Sequence, residues 1–163
     1  MSSVCRAGIA LGSNLGDRLA NLRAAREQIT ALSSLQLPIF SSAVYETEPI
    51  ACEPHAPQFL NAVVEIGYAA SARELLAALR QIEAALGRPA AHARNTSRTL
   101  DLDLLYFDDL RISEPELQLP HPRMHERLFV LQPLSDVRPD LVAVDRLREL
   151  AATQPLVRFA SEW

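Results

Sequence analysis

Three observations predict an α+β fold built on one antiparallel sheet. Four stretches carry strand patterning, two helical stretches fall among them in the order β-α-β-β-α-β, and no linker or internal repeat divides the chain. That order is the split βαβ, ferredoxin-like plait, with helices packed on one face and the other left for ligand and connecting loops. A chain of 163 residues suits one domain with a sizeable core, so a single domain is expected over 1–163, with helical additions after the last core strand.

The first strand is the mostly apolar run Val4 to Leu11. It ends at Gly12-Ser13-Asn14-Leu15-Gly16-Asp17, a turn signal that opens a helix. Leu19, Leu22, Ala25, Ile29 and Leu32 recur at helical spacing along that helix. The turn could offer backbone N–H groups to an anion, but it is neither a G-x-G-x-x-G fingerprint nor a Walker motif. Leu35 to Thr47 reads as one long strand, with Pro38 placing its start near an edge. Ile50 to Pro57 is a proline-rich loop, a candidate wall or lid, and Phe59 to Tyr68 alternates as the antiparallel partner strand.

Ser71-Ala72-Arg73-Glu74 is a capping box that opens a helix to about Leu86, stopped by Gly87. Glu83 stands near its end, where a carboxylate opposes the helix dipole. Arg88 to Ser97 is a polar loop, read equally well as a plain connector or as a cover for phosphates. Next comes Arg98-Thr99-Leu100-Asp101-Leu102-Asp103-Leu104-Leu105-Tyr106-Phe107, alternating and then wholly apolar, as a strand entering a core reads. Asp108-Asp109 makes a turn, and Arg111 to Ser113 a short edge strand. Leu119-Pro120-His121-Pro122 is stiffened by its prolines. A helix from His125 to Leu134, a short helix near Arg146 to Ala152 and an irregular tail complete the chain.

Charge narrows the function classes. The net charge of −4 provides no basic field for nucleic acid or an anionic membrane. No stretch approaches the roughly 18 apolar residues of a membrane span, and no signal-peptide pattern opens the chain, so a cytoplasmic protein is expected. Cys5 and Cys52 lack metal-type spacing and read as free thiols. The chain has no lysine, so every fixed cation is an arginine, suited to bidentate phosphate contacts. Arg88, Arg94 and Arg98 cluster just before the aspartates.

Asp101 and Asp103 project from one strand face, about 7 Å apart. Such a pair is eased by a cation, and oxygen-only ligands suit Mg²⁺ completed by water and substrate phosphates. A solvated strand face is the plainer account of a bare D-x-D. His121, rigidly placed, suits proton transfer or phosphate contact, although a lone histidine is more often structural.

Together these blocks resemble the 6-hydroxymethyl-7,8-dihydropterin pyrophosphokinase family. The resemblance runs from Ala10-Leu11-Gly12-Ser13-Asn14 to Pro139-Asp140-Leu141-Val142. Its specific blocks are Tyr45 to Ile50, Phe59-Leu60-Asn61-Ala62, Arg98 to Leu105, and Pro120-His121 followed by Arg127 and Phe129. It implies transfer of pyrophosphate from ATP to the pterin hydroxymethyl oxygen in folate biosynthesis, with release of AMP. By resemblance, Asp101 and Asp103 bind two Mg²⁺ ions, Arg88 and Arg98 hold the triphosphate, Arg94 closes over it, and His121, Arg127 and Glu83 serve the nucleotide. Asn61 recognises the pterin, stacked between Tyr45 or Phe59 and Phe129, while Thr47, Pro49 and Ile50 line its pocket. The expected partners are these two substrates alone, bound by a monomer. The chain departs from better-known members at Asn95-Thr96-Ser97, Ala90, Ala91 and Pro122. A metal-dependent nucleotidyltransferase releasing pyrophosphate and a non-catalytic plait are the competing readings. RNA binding calls for exposed aromatics in basic surroundings, which the aspartate pair opposes.

Overall fold

The computed structural model describes residues 3–49, 54–87 and 99–163. Its elements are β1 (Cys5–Ser13), α1 (Arg18–Thr30), β2 (Leu35–Ser41), β3 (Val44–Thr47), β4 (Phe59–Tyr68) and α2 (Ala72–Ala85). They are followed by β5 (Asp101–Phe107), β6 (Ile112–Ser113), β7 (Gln118–Leu119), α3 (Leu128–Val137), α4 (Val144–Ala151) and β8 (Val157–Ala160). The fold is mixed α and β around an antiparallel sheet ordered β5-β1-β4-β3-β8, with β2 also paired to β4. The short β6–β7 ribbon stands apart.

Period-two patterning divides the sheet into two faces. On the back, Ile9, Leu11, Leu60, Ala62, Val64, Ile66, Leu102 and Leu104 are buried in one cluster with Leu22 and Ile29 of α1 and Leu75, Leu79 and Ile82 of α2. Both helices start as their caps dictate. The Asp17 carboxylate accepts from Ala20 N–H at 3.1 Å, and Ser71 and Glu74 form the expected reciprocal box.

The front face is covered only in part. Val63 and Leu105 pack with Leu128, Val130, Leu131 and Leu134 of α3 and Leu150 of α4. The expectation that helices occupy a single face is therefore corrected: residues 128–151 add a second layer over half of the front. Beneath it, the Glu65 carboxylate takes Arg6 at 2.6 Å and Arg138 at 2.7 Å, and accepts the Tyr106 hydroxyl. Burial and this carboxylate push the Tyr106 phenol well above its ordinary value. Gly8 makes room for Tyr106, since a Cβ there would lie 2.3 Å from the ring.

Three further details differ from the sequence reading. The long strand over Leu35–Thr47 is broken between Ser41 and Val44. There Ser42 N–H donates to Val63 C=O and Ser42 Oγ accepts from Val63 N–H, both at 2.9 Å, so a side chain takes one place in the ladder. The helix expected from His125 begins at Leu128 and runs past Pro133 to Val137. The tail is not irregular: β8 pairs with β3, and Trp163 is buried, its indole N–H donating to Ser42 C=O at 2.7 Å.

Candidate active site

Strand register carries the site. Asp101 pairs with Gly12, Gly12 with Asn61, and Asn61 with Tyr45, so four strands contribute one row across the front face. The next rows place Asp103 opposite Ala10 and Phe59 opposite Thr47. Alternation puts Asp101, Asp103, Phe59, Asn61, Tyr45 and Thr47 on the same side of the sheet. Small residues at Ala10 and Gly12 keep the floor between the aspartates and Asn61 low. A Cβ at Gly12 would lie 3.5 Å from Asn61 Oδ1 and 3.8 Å from the Phe59 ring.

Asn61 is buried and donates from Nδ2 to Thr47 Oγ1 at 2.9 Å, which orients its amide. The turn after β1 fastens this end of the sheet. Asn14 Nδ2 donates to Pro57 C=O at 3.0 Å, and Asn21 of α1 donates to Ser13 Oγ, Leu15 C=O and Thr99 C=O at 2.9–3.2 Å. The turn, read from sequence as a plain connector before an anion cradle, is a joint that ties β1 to the chain entering β4 and β5.

The two aromatic alternatives opposite Phe129 differ in access. Tyr45 is 3% exposed. Its hydroxyl donates to Asp136 Oδ2 at 2.8 Å, and the Arg158 guanidinium lies 5.8 Å from its ring centre. Phe59 and Phe129 are both half-buried.

The cationic side is built by residues 120–127. His121 N–H donates to Leu105 C=O at 2.7 Å, which holds this segment against β5. Its imidazole titrates below the ordinary range, chiefly through burial and then through Arg127 and Arg123; the nearby Asp101 charge acts the other way. The Arg127 guanidinium sits 5.5 Å from the Phe129 ring centre.

Glu83 is tied to the strand that carries the aspartates. It is 7% exposed, and its Oε1 accepts from Leu102 N–H at 2.7 Å, between the two aspartates. β5 is the outer strand of the sheet, so this carboxylate satisfies a backbone donor that no strand takes. The charge-assisted bond also accounts for an acid at the unfavourable end of α2. Pro49 lies just beyond β3, half-buried. Arg88, Arg94, Arg98 and Ile50 lie outside the described residues.

Two aspartates on one face, with no group of three or more His, Cys, Asp or Glu among the described residues, make a sparse oxygen donor set. It fits a hard cation that keeps water and takes substrate oxygens, as Mg²⁺ does, and it does not fit a closed structural zinc site.

Residues 8–139 match the family model of 7,8-dihydro-6-hydroxymethylpterin-pyrophosphokinase. The chain belongs to this family. It is 46% identical over 129 residues to the 2-amino-4-hydroxy-6-hydroxymethyldihydropteridine pyrophosphokinase of Bacillus subtilis, covering 79% of this chain and 75% of that protein. It is 37% identical over 152 residues to the enzyme of the same name from Pseudomonas aeruginosa, covering 92% of each. In fold it is similar to Plasmodium falciparum HPPK-DHPS with pterin and p-hydroxybenzoate, with a TM-score of 0.66 at 14% identity over 93% of this chain and 44% of that one. A second HPPK-DHPS structure, in complex with substrates, gives 0.71 at 13% identity over 92% and 44%. The chain thus spans less than half the length of those two-part proteins.

As a family member the chain is an ATP-dependent pyrophosphokinase of folate synthesis. No helix among the described residues is long and apolar enough to cross a membrane. Sequence reasoning did not single out Asp136 and Arg158, which hydrogen-bond to the Tyr45 hydroxyl, or Asn21 and Gln154, which bond to the backbone of Thr99 and Leu128 close to site residues. Their partners lie far away in the chain, so no local pattern marks them.

Proposed function

We propose that the front-face row divides the labour of pyrophosphoryl transfer between its two ends. Asp101 and Asp103 hold two Mg²⁺ ions with the ATP phosphates, and Asn61 reads the edge of the pterin. Phe59 and Phe129 sandwich the flat ring. Tyr45 backs that pocket from beneath, and Thr47 fixes the Asn61 amide so that it faces the pterin. Pro49 and Ile50 close the apolar side.

His121 and Arg127 flank the nucleotide, while Arg88, Arg94 and Arg98 hold the triphosphate and close over it. Glu83 shapes the nucleotide side indirectly, by fixing the strand that carries both aspartates. When bound, the cations neutralise charge on the phosphate oxygens and acidify the pterin hydroxyl. The residues of the chain contribute positioning: they bring the hydroxymethyl oxygen in line with the β-phosphate and keep the two substrates in one orientation. The strand order supports a ferredoxin-like plait, and residues 1–163 are read as one monomeric, cytoplasmic domain.

The observation that carries this reading is the register Asp101–Gly12–Asn61–Tyr45, which sets the aspartate pair and the amide in one row. Nucleotide products are to be measured with ATP, Mg²⁺ and 6-hydroxymethyl-7,8-dihydropterin. AMP forms only with pterin present, and Asp103→Ala lowers kcat on the order of 10³-fold, since several kcal/mol of charge stabilisation is lost. Undiminished turnover in that variant would remove the metal assignment.

A further inference from the structure

Phe129 and Arg127 stand at the start of α3, yet that start is poorly equipped to hold them. Arg127 occupies the N-cap position and makes no side-chain capping bond. An uncapped helix start leaves backbone donors without intrahelical partners. The missing partner arrives from the far end of α4. Gln154 Oε1 accepts from Leu128 N–H at 2.8 Å, and Gln154 Nε2 donates to Glu126 C=O at 3.1 Å. Only one orientation of the amide satisfies both bonds, because one backbone group is a donor and the other an acceptor. The two gripped residues directly flank Arg127.

Gln154 is itself fixed, its own N–H donating to Leu150 C=O at 2.9 Å at the end of α4. The start of α4 adds a second hold. Arg146 Nε donates to His125 C=O at 2.9 Å, while its Nη1 pairs with Glu149 at 2.6 Å. Three backbone groups in residues 125–128 are thereby held by side chains from residues 146–154. Leu150 of the same helix is buried against Leu128 and Leu131, so the clamp sits on packed structure.

We infer that α4 and the turn that follows it form a positioning clamp for the pyrophosphokinase reaction, with Gln154 and Arg146 as positioning residues that fix Arg127 and Phe129 at the start of α3. The inference rests on the roles proposed above for those two residues. A small displacement of a substrate-orienting group costs up to about 100-fold in rate.

The test compares Gln154→Met, which keeps length and loses both bonds, with Gln154→Glu, which keeps the acceptor for Leu128 N–H. Arg146→Ala, which releases His125 alone, is a second and independent variant. Phe129→Ala and Arg127→Ala report on the site itself, and Arg148→Ala, on an exposed face of α4, is the control. Binding of pterin and of a non-hydrolysable ATP analogue is measured separately, with kcat, KM and thermal midpoint for each protein. The expected result is a fall in kcat/KM of roughly ten- to a hundredfold in Gln154→Met at a temperature where it is fully folded. Gln154→Glu falls in between, Arg146→Ala loses severalfold, and the control is unchanged. A lowered thermal midpoint with unaltered kinetics in both Gln154→Met and Arg146→Ala overturns the inference and leaves α4 a brace. If Phe129→Ala binds pterin and Arg127→Ala binds nucleotide as the parent does, the site reading has failed instead, and the clamp falls with it.

Discussion

The two faces of the sheet are made by alternate residues of the same strands, yet they do opposite work. The back is continuous hydrocarbon sealed by α1 and α2. On the front, the apolar cover of α3 and α4 is partial, and beyond it lie the half-buried Asp101 and Asp103 and the buried Asn61 and Thr47. The difference teaches that stability and chemistry are separated by a side-chain period of two rather than by distance. Leu102 belongs to the core, while Asp101 and Asp103 on either side of it do not.

The strongest way to break that separation is to remove a back-face side chain. Leu11 is 2% exposed, and Leu11→Ala is expected to lower stability by about 2–5 kcal/mol, from lost transfer energy plus the cavity left behind. Chemical denaturation checks the loss, while kcat of the folded fraction stays near that of the parent. A large fall in kcat at full folding would show that the faces are coupled.

A sharper contrast lies within β1, between two glycines on the front face. At Gly8 an added Cβ collides with the Tyr106 ring, so Gly8→Ala should cost about 1–3 kcal/mol with modest kinetic effect. At Gly12 the same carbon meets only ordinary contacts. Gly12→Ala should leave the thermal midpoint nearly unchanged but raise the KM for pterin severalfold, because the methyl group rises from the floor beside Asn61. Matching effects at both positions would erase the distinction between the covered and open halves.

The smallest expected effect concerns His121. Its folded pKa is depressed by burial, then by Arg127 and Arg123. Its neutral form therefore contributes stability that is present above the unfolded value of about 6.5. That contribution is lost as pH falls through the folded value. Two-dimensional NMR titration should find the midpoint of the ring below the ordinary histidine value, and Arg127→Ala should move it upward.

Much of this was legible in the sequence. The Asp101–Asp103 pair, the capping box at Ser71 and the strand at Phe59 follow from local periodicity and spacing, which the tertiary structure leaves intact. What failed was non-local. The break between β2 and β3 depends on Ser42 meeting Val63, and β8 exists because β3 offers it an edge. Neither leaves a mark in its own stretch of sequence. Tyr45 and Phe59 could not be told apart from composition, since both are aromatics on one face; they differ in burial and in the Asp136 bond, which depend on distant residues. Glu83 stood out by its unfavourable position in the helix, and a backbone donor on β5, far away in the chain, accounts for that position.

The interior position of β1, between β5 and β4, has a kinetic consequence. It is the first strand of the chain, and it pairs only with β4 and β5, which come much later in sequence. Closing such long loops before any pairing is rewarded slows folding relative to chains rich in local contacts. The row that carries the site is assembled from all four of its strands, so no fragment lacking β5 can present it. Ligand binding therefore draws on the fully folded state alone, and each tenfold excess of substrate over its dissociation constant should stabilise the whole sheet by about 1.4 kcal/mol rather than one local segment.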